Sequence, residues 1–142
     1  MRNIAKKTAF IGMASIVLSS SVLAGNIEVT VNNLQANKGK LYASLCTSDS
    51  FMKGRCHFEI VRSVTADAHV LTFSHVDEGE YAVSLFYDVN SNEKLDTSIF
   101  GIPKEPTGVS NNVTSSNGPP SFDAAKFAVV ANSEVKLDIS VF

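Results

Sequence analysis

The chain has 142 residues, 44% of them hydrophobic, and a formal net charge of −2, which suits one domain with a hydrophobic core. Acidic residues number 14 and basic residues 12, and the basic residues form no run or stripe. This balance excludes the electrostatic signature of nucleic-acid binding and gives no general attraction to anionic lipid.

Residues 1–24 have the features of a secretory signal peptide. A basic start is followed by an apolar run over residues 8–18, and Ala24 is a small residue suited to cleavage before Gly25. A retained N-terminal anchor is the alternative interpretation. No later stretch is apolar enough to span a bilayer. We therefore expect an exported protein, periplasmic or secreted, whose mature part is residues 25–142.

Alternation of apolar and polar residues predicts about seven short strands, separated by turn signals, with no segment of helical period. His69 and His75 are expected on the same face as Leu71 and Phe73. The apolar positions of the other six strands are Ile27, Val29, Val31, Leu41, Ala43, Leu45, Phe58, Ile60, Val64, Tyr81, Val83, Leu85, Tyr87, Phe127, Val129, Val135, Leu137, Ile139 and Val141. The pattern predicts one all-β domain over residues 25–142, an antiparallel Greek-key β-sandwich of immunoglobulin-like or prealbumin-like type with one long ordered loop.

Two cysteines, Cys46 and Cys56, flank the polar stretch of residues 47–55 between the second and third strands. In an oxidising compartment two cysteines at this spacing most simply form one disulfide. A redox pair or a pair of metal ligands is less favoured, because the spacing is not C-x-x-C and only His57 is adjacent.

The long loop between the fifth and sixth strands begins with oxygen-bearing residues at alternate positions. Positions 1, 3, 5, 7 and 9 of an EF-hand calcium loop correspond to Asp88, Asn90, Asn92, the backbone carbonyl of Lys94, and Asp96. Glu93 stands where an EF-hand has glycine, and Ile99 where it has a bidentate glutamate. Asp and Asn side chains also cap their own backbone in metal-free turns. The sequence leaves open a Ca²⁺ site or a self-capping turn.

All four prolines of the chain lie in the remainder of this loop, which ends at residue 122. Proline fixes φ, so we expect the loop to be ordered and packed over one end of the sandwich. Its expected apolar anchors are Phe100, Ile102, Val109 and Phe122. Loops on rigid sandwiches often carry recognition, and the candidate binding residues are Lys104, Glu105, Ser110, Asn111, Asn112 and Phe122.

The combination of loop motifs resembles a known family. Asp-x-Asn-x-Asn-x-Lys-Leu-Asp from Asp88, Gly-Ile-Pro-Lys-Glu from Gly101, Ser-Asn-Asn from Ser110 and Gly-Pro-Pro-Ser-Phe from Gly118 are similar to an uncharacterised family of bacterial exported proteins. The resemblance covers essentially the whole mature chain. It implies a small periplasmic or secreted sandwich, related in style to prealbumin-like and carboxypeptidase-regulatory-like domains, and it implies no activity. The family often has glycine at the position of Glu93.

Sequence motifs of common enzymes are missing. The chain has no Gly-x-Ser-x-Gly elbow, no H-E-x-x-H and no P-loop. His69 and His75 are six residues apart on one strand, about 20 Å, and cannot share a metal. Asp88 and Asp96 could form a carboxylate pair, but an exposed asparagine-rich loop offers little to tune either group.

We therefore expect a non-enzymatic binding or accessory module of the bacterial cell envelope. Residues 88–122 would form its contact surface for a protein or for a small-molecule or glycan ligand. A calcium-stabilised structural domain is the second hypothesis, and a hydrolase using the loop carboxylates is the third.

Overall fold

The structure, a computed structural model, describes residues 24–142, so the predicted signal peptide lies outside the described residues except for Ala24. Eight strands form within this range: β1 Gly25–Asn32, β2 Lys40–Cys46, β3 Phe58–Ser63, β4 His69–Val76, β5 Gly79–Asp88, β6 Thr107–Val109, β7 Phe127–Val129 and β8 Glu134–Ser140. A 3-10 turn covers Ser110–Asn112, and one short helix, α1, covers Phe122–Ala125. Among these residues no helix has the length and apolar character needed to cross a bilayer.

The strands form two sheets. One has the order β4-β1-β8, and the other has the order β3-β2-β5-β6, with β7 also paired to β5. All pairs are antiparallel except β1 and β8, which run parallel from Asn26 opposite Glu134 to Asn32 opposite Ser140. The all-β sandwich predicted from the sequence is therefore confirmed, and the first and last strands supply its one parallel pair.

A single large core lies between the sheets. Alternate side chains of each strand point inward, which is why the period of two in the sequence was informative. β5 shows this most clearly, because Tyr81, Val83, Leu85 and Tyr87 are all buried in the main core. β-branched and aromatic residues pack well on a pleated surface, and they dominate this core.

The prediction that His75 shares a face with Leu71 and Phe73 is wrong. The pairing of β1 with β4 shifts register near the end of β4, and His75 adopts a positive φ of 58°. An extra residue in one strand reverses the alternation beyond it. His75 is consequently exposed, and Val76 takes the buried position.

A second, smaller apolar cluster lies on the outer side of β5. Its buried members are Cys46, Phe51, Ala82, Val109 and Ala125. Val109 belongs to β6, the strand that sequence periodicity did not predict, and it pairs with Ser84 of β5. The middle of the long loop is thus built into the sheet, and the chain between the cysteines covers the same patch.

The end of β5 is held against the connection between β1 and β2. The Tyr87 hydroxyl donates to the backbone oxygen of Lys38 at 2.7 Å and accepts from the backbone N–H of Gln35 at 3.3 Å. Gly39 has a φ of +73°, and a Cβ there would collide with the carbonyl oxygen of Asp88. Only glycine tolerates both conditions. The long segment therefore leaves β5 from a fixed position.

Candidate functional site: the segment from Asp88 to Phe122

The segment opens with a tight polar turn around Asp88, whose side chain is fully buried. The Asp88 carboxylate accepts hydrogen bonds from the backbone N–H of Asn92 at 3.2 Å and of Glu93 at 2.8 Å. Glu93 takes a positive φ of 67°, the conformation that an EF-hand assigns to glycine at this position. Its carboxylate forms an ion pair with Lys40 at 2.9 Å, which also raises the pKa of Lys40.

The Asp96 carboxylate closes this turn. It accepts from the side-chain amide of Asn90 at 2.6 Å and from that of Asn92 at 3.0 Å. These hydrogen bonds, Asn90 first and Asn92 second, hold the pKa of Asp96 below its ordinary value. Four of the five predicted calcium-loop residues, Asp88, Asn90, Asn92 and Asp96, therefore interact as one group. The Lys94 backbone N–H joins them by donating to the Asn92 side-chain oxygen at 3.0 Å.

The buried Glu105 side chain holds the start of the segment in place by hydrogen bonds. It is only 9% exposed, and its two carboxylate oxygens accept from the backbone N–H of Val89 at 3.0 Å and of Asp96 at 3.1 Å. The backbone N–H of Lys104 donates to the Asp96 carbonyl at 2.8 Å. This arrangement fixes both ends of the chain between residues 89 and 105.

A small hairpin projects between these two ends. Thr97 pairs with Pro103, and the Ser98 backbone N–H donates to the Ile102 carbonyl at 2.8 Å. The Ser98 hydroxyl accepts from the backbone N–H of Phe100 and Ile102, and Gly101 completes the turn with a φ of +75°. Local bonds of this kind order a turn without help from the core.

The hairpin tip exposes large apolar side chains. Ile99 is 93% exposed, Phe100 82% and Ile102 63%. Sequence analysis assigned Phe100 and Ile102 as anchors that pack against the sandwich, and this is wrong. The turn formed by residues 98–102 bonds to itself, so the tip points away from the sheets.

An open groove lies beside the hairpin. Its volume is about 510 Å³, and its lining residues are Gln35, Val89, Asn90, Asp96, Thr97, Lys104, Glu105 and Pro106. The lining combines amides, a lysine and carboxylates with apolar contributions from Val89 and Pro106. Two of the predicted binding residues, Lys104 and Glu105, belong to it.

The Ser-Asn-Asn motif latches the second half of the segment to both sheets. The buried Ser110 hydroxyl donates to the Ala125 carbonyl at 2.6 Å and accepts from the Val83 backbone N–H at 3.0 Å. The Asn112 side chain bonds the edge of β8, donating to the Asp138 carbonyl at 2.9 Å and accepting from the Ser140 N–H at 2.9 Å. A side-chain amide here satisfies backbone groups that an edge strand leaves unpaired.

The remaining predicted binding residues also make internal contacts. Asn111 donates to the backbone carbonyls of Ala124 and Lys126 at 3.0 and 3.1 Å. Phe122 packs edge-on against Phe51, with ring centroids 5.9 Å apart. These groups order the segment from residue 107 to α1.

The predicted disulfide between Cys46 and Cys56 is present. Cys46 is the last residue of β2, and both cysteines contribute to the smaller apolar cluster. The bridge therefore closes the chain that carries Phe51, the partner of Phe122.

His69 makes local hydrogen bonds to the backbone. The His69 ring nitrogen Nε2 accepts from the Thr65 backbone N–H at 2.8 Å, which orders the turn before β4. Among residues 24–142, no three His, Cys, Asp or Glu side chains form a group suited to a metal ion. The calcium-loop residues are a different kind of set, because two of them are asparagines and one acts through its backbone.

Sequence reasoning missed the exposed tip, although a signal was present. Residues 97–103 carry no charged side chain and place three large apolar residues around a glycine. In a loop already rich in proline, that pattern fits a buried anchor and a projecting turn equally well. Hydrogen bonding within residues 98–102, visible only in the structure, decides between them.

Comparisons with known proteins identify the family. Neither the comparison with curated proteins nor that with solved structures found a match. The family model described as "Uncharacterized protein conserved in bacteria (DUF2141)" matches residues 29–138, which includes the whole of the segment from Asp88 to Phe122. The chain therefore belongs to this bacterial family.

Proposed function

We propose that the protein is an exported, non-enzymatic binding or accessory module of the bacterial cell envelope. Its contact surface is the hairpin of residues 97–103, within the loop of residues 88–122. The observation that carries the proposal is the exposure of Ile99, Phe100 and Ile102 on a tip whose base is fixed. Contiguous exposed apolar surface on a folded domain commonly marks a contact site.

The fold itself does not need these three side chains. The main core is complete between the two sheets, and the base of the hairpin is ordered by Glu105 and by the turn around Asp88. Burial of a large apolar side chain is favourable by about 1.5–3 kcal/mol relative to its exposure to water. A partner that covers the tip would gain this free energy of burial.

The groove beside the hairpin extends the proposed surface with polar groups. Lys104, Asn90 and Gln35 supply hydrogen-bond donors at its lining, and Val89 and Pro106 supply apolar contact. A projecting apolar tip next to a polar groove is a better binding site for a protein, a small molecule or a glycan than a flat surface is.

The test compares the tip with an equally apolar position elsewhere. A deletion strain is complemented with the wild type, with Ile99→Ser plus Phe100→Ser, or with Val130→Ser. Val130 is 60% exposed and lies just after β7, which pairs with the opposite end of β5. We expect the tip variant alone to lose complementation while it accumulates normally. Full rescue by the tip variant would remove the proposed contact surface.

A calcium-stabilised domain is the second candidate, favoured by the turn around Asp88. The Asp88 carboxylate accepts from the residues at positions 5 and 6 of the calcium-loop pattern, and Glu93 has the φ that position 6 requires. Binding would need the amides of Asn90 and Asn92 to turn their oxygens, in place of their nitrogens, toward Asp96.

Thermal unfolding with Ca²⁺ and with a chelator tests this second candidate. Ligand binding to the native state alone stabilises it by about 2.7 kcal/mol at a hundredfold excess over Kd. We expect a higher midpoint with Ca²⁺ for the wild type and no shift for Asp96→Asn. An identical midpoint in Ca²⁺ and chelator would reject calcium binding.

A further inference from the structure

We propose that Asn117 is a site of spontaneous covalent modification, at which the side-chain amide is converted to a carboxylate through a cyclic imide. The sequence contains one Asn-Gly pair, Asn117-Gly118, between the Ser-Asn-Asn motif of residues 110–112 and α1. The pair lies outside the hairpin tip and the groove, so the modification does not depend on the proposed function.

A glycine after asparagine favours this reaction for a steric reason. The backbone nitrogen of the following residue attacks the side-chain carbonyl carbon of the asparagine, and a Cβ on that residue hinders the approach. Glycine has no Cβ and adopts backbone conformations that are strained for other residues. Gly118 has a φ of +116°, and apart from its chain neighbours no described atom lies within 4 Å of the position that a Cβ would take.

The fold leaves the Asn-Gly pair accessible to water and free to rotate. Asn117 and Gly118 are both exposed, and they lie in a bend of residues 116–119, outside every described helix and strand. Within residues 24–142, the Gly118 N–H donates to no backbone carbonyl. Rotation of the Asn117 backbone toward ring closure therefore breaks no backbone hydrogen bond.

Two other asparagines that precede a small residue are held by hydrogen bonds that oppose ring closure. The Asn90 amide donates to the Asp96 carboxylate at 2.6 Å, which fixes the side chain that would be attacked. After Asn132, the attacking group would be the N–H of Ser133, which instead donates to the Val130 carbonyl at 3.2 Å. The fold thus favours the Asn-Gly pair over both of these positions.

The reaction needs only the chain and water. The Gly118 nitrogen loses its proton and forms a bond to Cγ of Asn117, and the side-chain amide group takes up a proton and leaves as ammonia. The cyclic imide then adds one water. Cleavage of the new bond to Cγ gives aspartate. Cleavage of the original peptide bond gives isoaspartate, in which the chain continues through the side chain. Either product adds one negative charge.

The bend can accommodate both products because the chain is fixed on each side of it. Before the bend, the Asn112 side chain bonds the edge of β8. After it, the Ser121 hydroxyl accepts from the Ala124 N–H and caps α1. Isoaspartate lengthens the backbone by one atom, between these two fixed points. We therefore expect the product to differ from the starting protein in charge and to keep its stability.

Ageing of the purified protein tests the site. The folded protein is kept at physiological temperature and neutral pH, resolved by anion exchange, and digested for mass spectrometry. We expect a more acidic species, one mass unit heavier, with the change confined to the peptide that carries Asn117. Asn90 and Asn132 should stay intact over the same time and should convert once the chain is unfolded in urea. The separated acidic species should keep the thermal midpoint of the starting protein.

Three variants test the mechanism. Gly118→Ala supplies the missing Cβ, so most of Asn117 should remain intact when half of the wild-type protein has converted. Asn117→Gln lengthens the side chain by one methylene, which makes the smaller ring impossible, and it should give no acidic species from this peptide. Ser115→Ala, at an exposed position in the same stretch, is the matched control and should convert at the wild-type rate.

Three results would overturn the inference. Asn117 could stay intact in the folded protein and convert only in the unfolded chain, which would mean that the fold protects the pair. Asn90 or Asn132 could convert before Asn117, which would remove the selectivity assigned to the fold. Equal rates in Gly118→Ala and the wild type would show that the Gly118 nitrogen is not the attacking group.

Discussion

The segment between β5 and α1 has two halves that differ in the exposure of their apolar side chains. In residues 88–106 the backbone bonds mainly to itself and to Glu105, and Phe100 and Ile102 remain in water. In residues 107–122 the backbone joins β5 through β6, and Val109 and Phe122 pack into the smaller apolar cluster.

The difference shows that ordering a loop and burying it are separate events. The first half is ordered by carboxylates and amides that accept or donate locally, with no covering layer. The second half is ordered by packing, by the Ser-Asn-Asn latch, and by the disulfide loop that presents Phe51. Both halves contain prolines, asparagines and a phenylalanine, but all the charged residues of the segment lie in the first half. Substitutions confined to one half can therefore show whether the two halves are energetically independent.

Loss of the disulfide should give the largest effect, and it should fall on the second half. Replacing both Cys46 and Cys56 by alanine removes a short covalent loop, worth about 3 kcal/mol in the chain-entropy account. Urea unfolding should show this loss, and wild-type protein with reductant should reproduce it. Hydrogen exchange should rise around Val109 and Phe122. A loss below about 1 kcal/mol would mean that packing alone holds this half.

Removal of the Glu105 carboxylate should destabilise the first half, residues 88–106, and leave the second half ordered. Glu105→Ala leaves two partly buried backbone N–H groups without their acceptor, at a cost of about 1 kcal/mol each. We expect fast hydrogen exchange at Val89 and Asp96 while the amides of β6 stay protected. Glu105→Gln, which keeps one acceptor, should fall between the variant and the wild type. Equal loss of protection in both halves would contradict their independence.

Ser110→Ala should have a smaller effect, again confined to the second half. The substitution removes the hydroxyl that accepts from Val83 and donates to Ala125, at about 1–2 kcal/mol. Ser115→Ala, at an exposed position, serves as the control and should be neutral. Thermal unfolding measures both. A neutral Ser110→Ala would show that the latch is dispensable.

Acid should loosen the first half before the second. The pKa of Asp96 is held below its ordinary value of 3.8 by the amides of Asn90 and Asn92. A carboxyl with a depressed folded-state pKa stabilises the fold fully above its unfolded value, and this contribution is lost as the pH falls through the folded value. We expect the turn around Asp88 to open below about pH 4. NMR amide shifts of Asn92 and Lys94 would follow it, with Asp96→Asn as the control that lacks this carboxylate.

Much of the fold was accessible from sequence because its determinants are local and periodic. Tyr81, Val83, Leu85 and Tyr87 alternate in β5, and the structure buries all four. β6 has only three residues, one of them glycine, so no period could reveal it. The pairing of Asn112 with the edge of β8 joins residues 26 and 28 positions apart, and such contacts leave no trace in a local pattern.

The sequence predicted where the candidate site lies, but it did not predict which of its apolar side chains are exposed. Asp88, Asn90, Asn92 and Asp96 form the interacting turn that their spacing indicated. The apolar residues that follow could not be assigned in the same way, because hydrophobicity alone does not distinguish an anchor from a projecting tip. That distinction depends on whether the neighbouring backbone finds its hydrogen bonds in a sheet or within its own turn.

The smallest predicted effect is also the most direct test of the contrast between the two halves. Phe100→Ser should change the free energy of unfolding by no more than about 0.5 kcal/mol, as expected for an exposed position. Phe122→Ser, the same substitution in the second half, should cost about 2 kcal/mol because it removes a partly buried ring packed on Phe51. Urea unfolding of the two variants, side by side, measures the difference. A stability loss of similar size in Phe100→Ser would mean that the tip is part of the packed structure, and the apolar surface assigned to a partner would then belong to the fold.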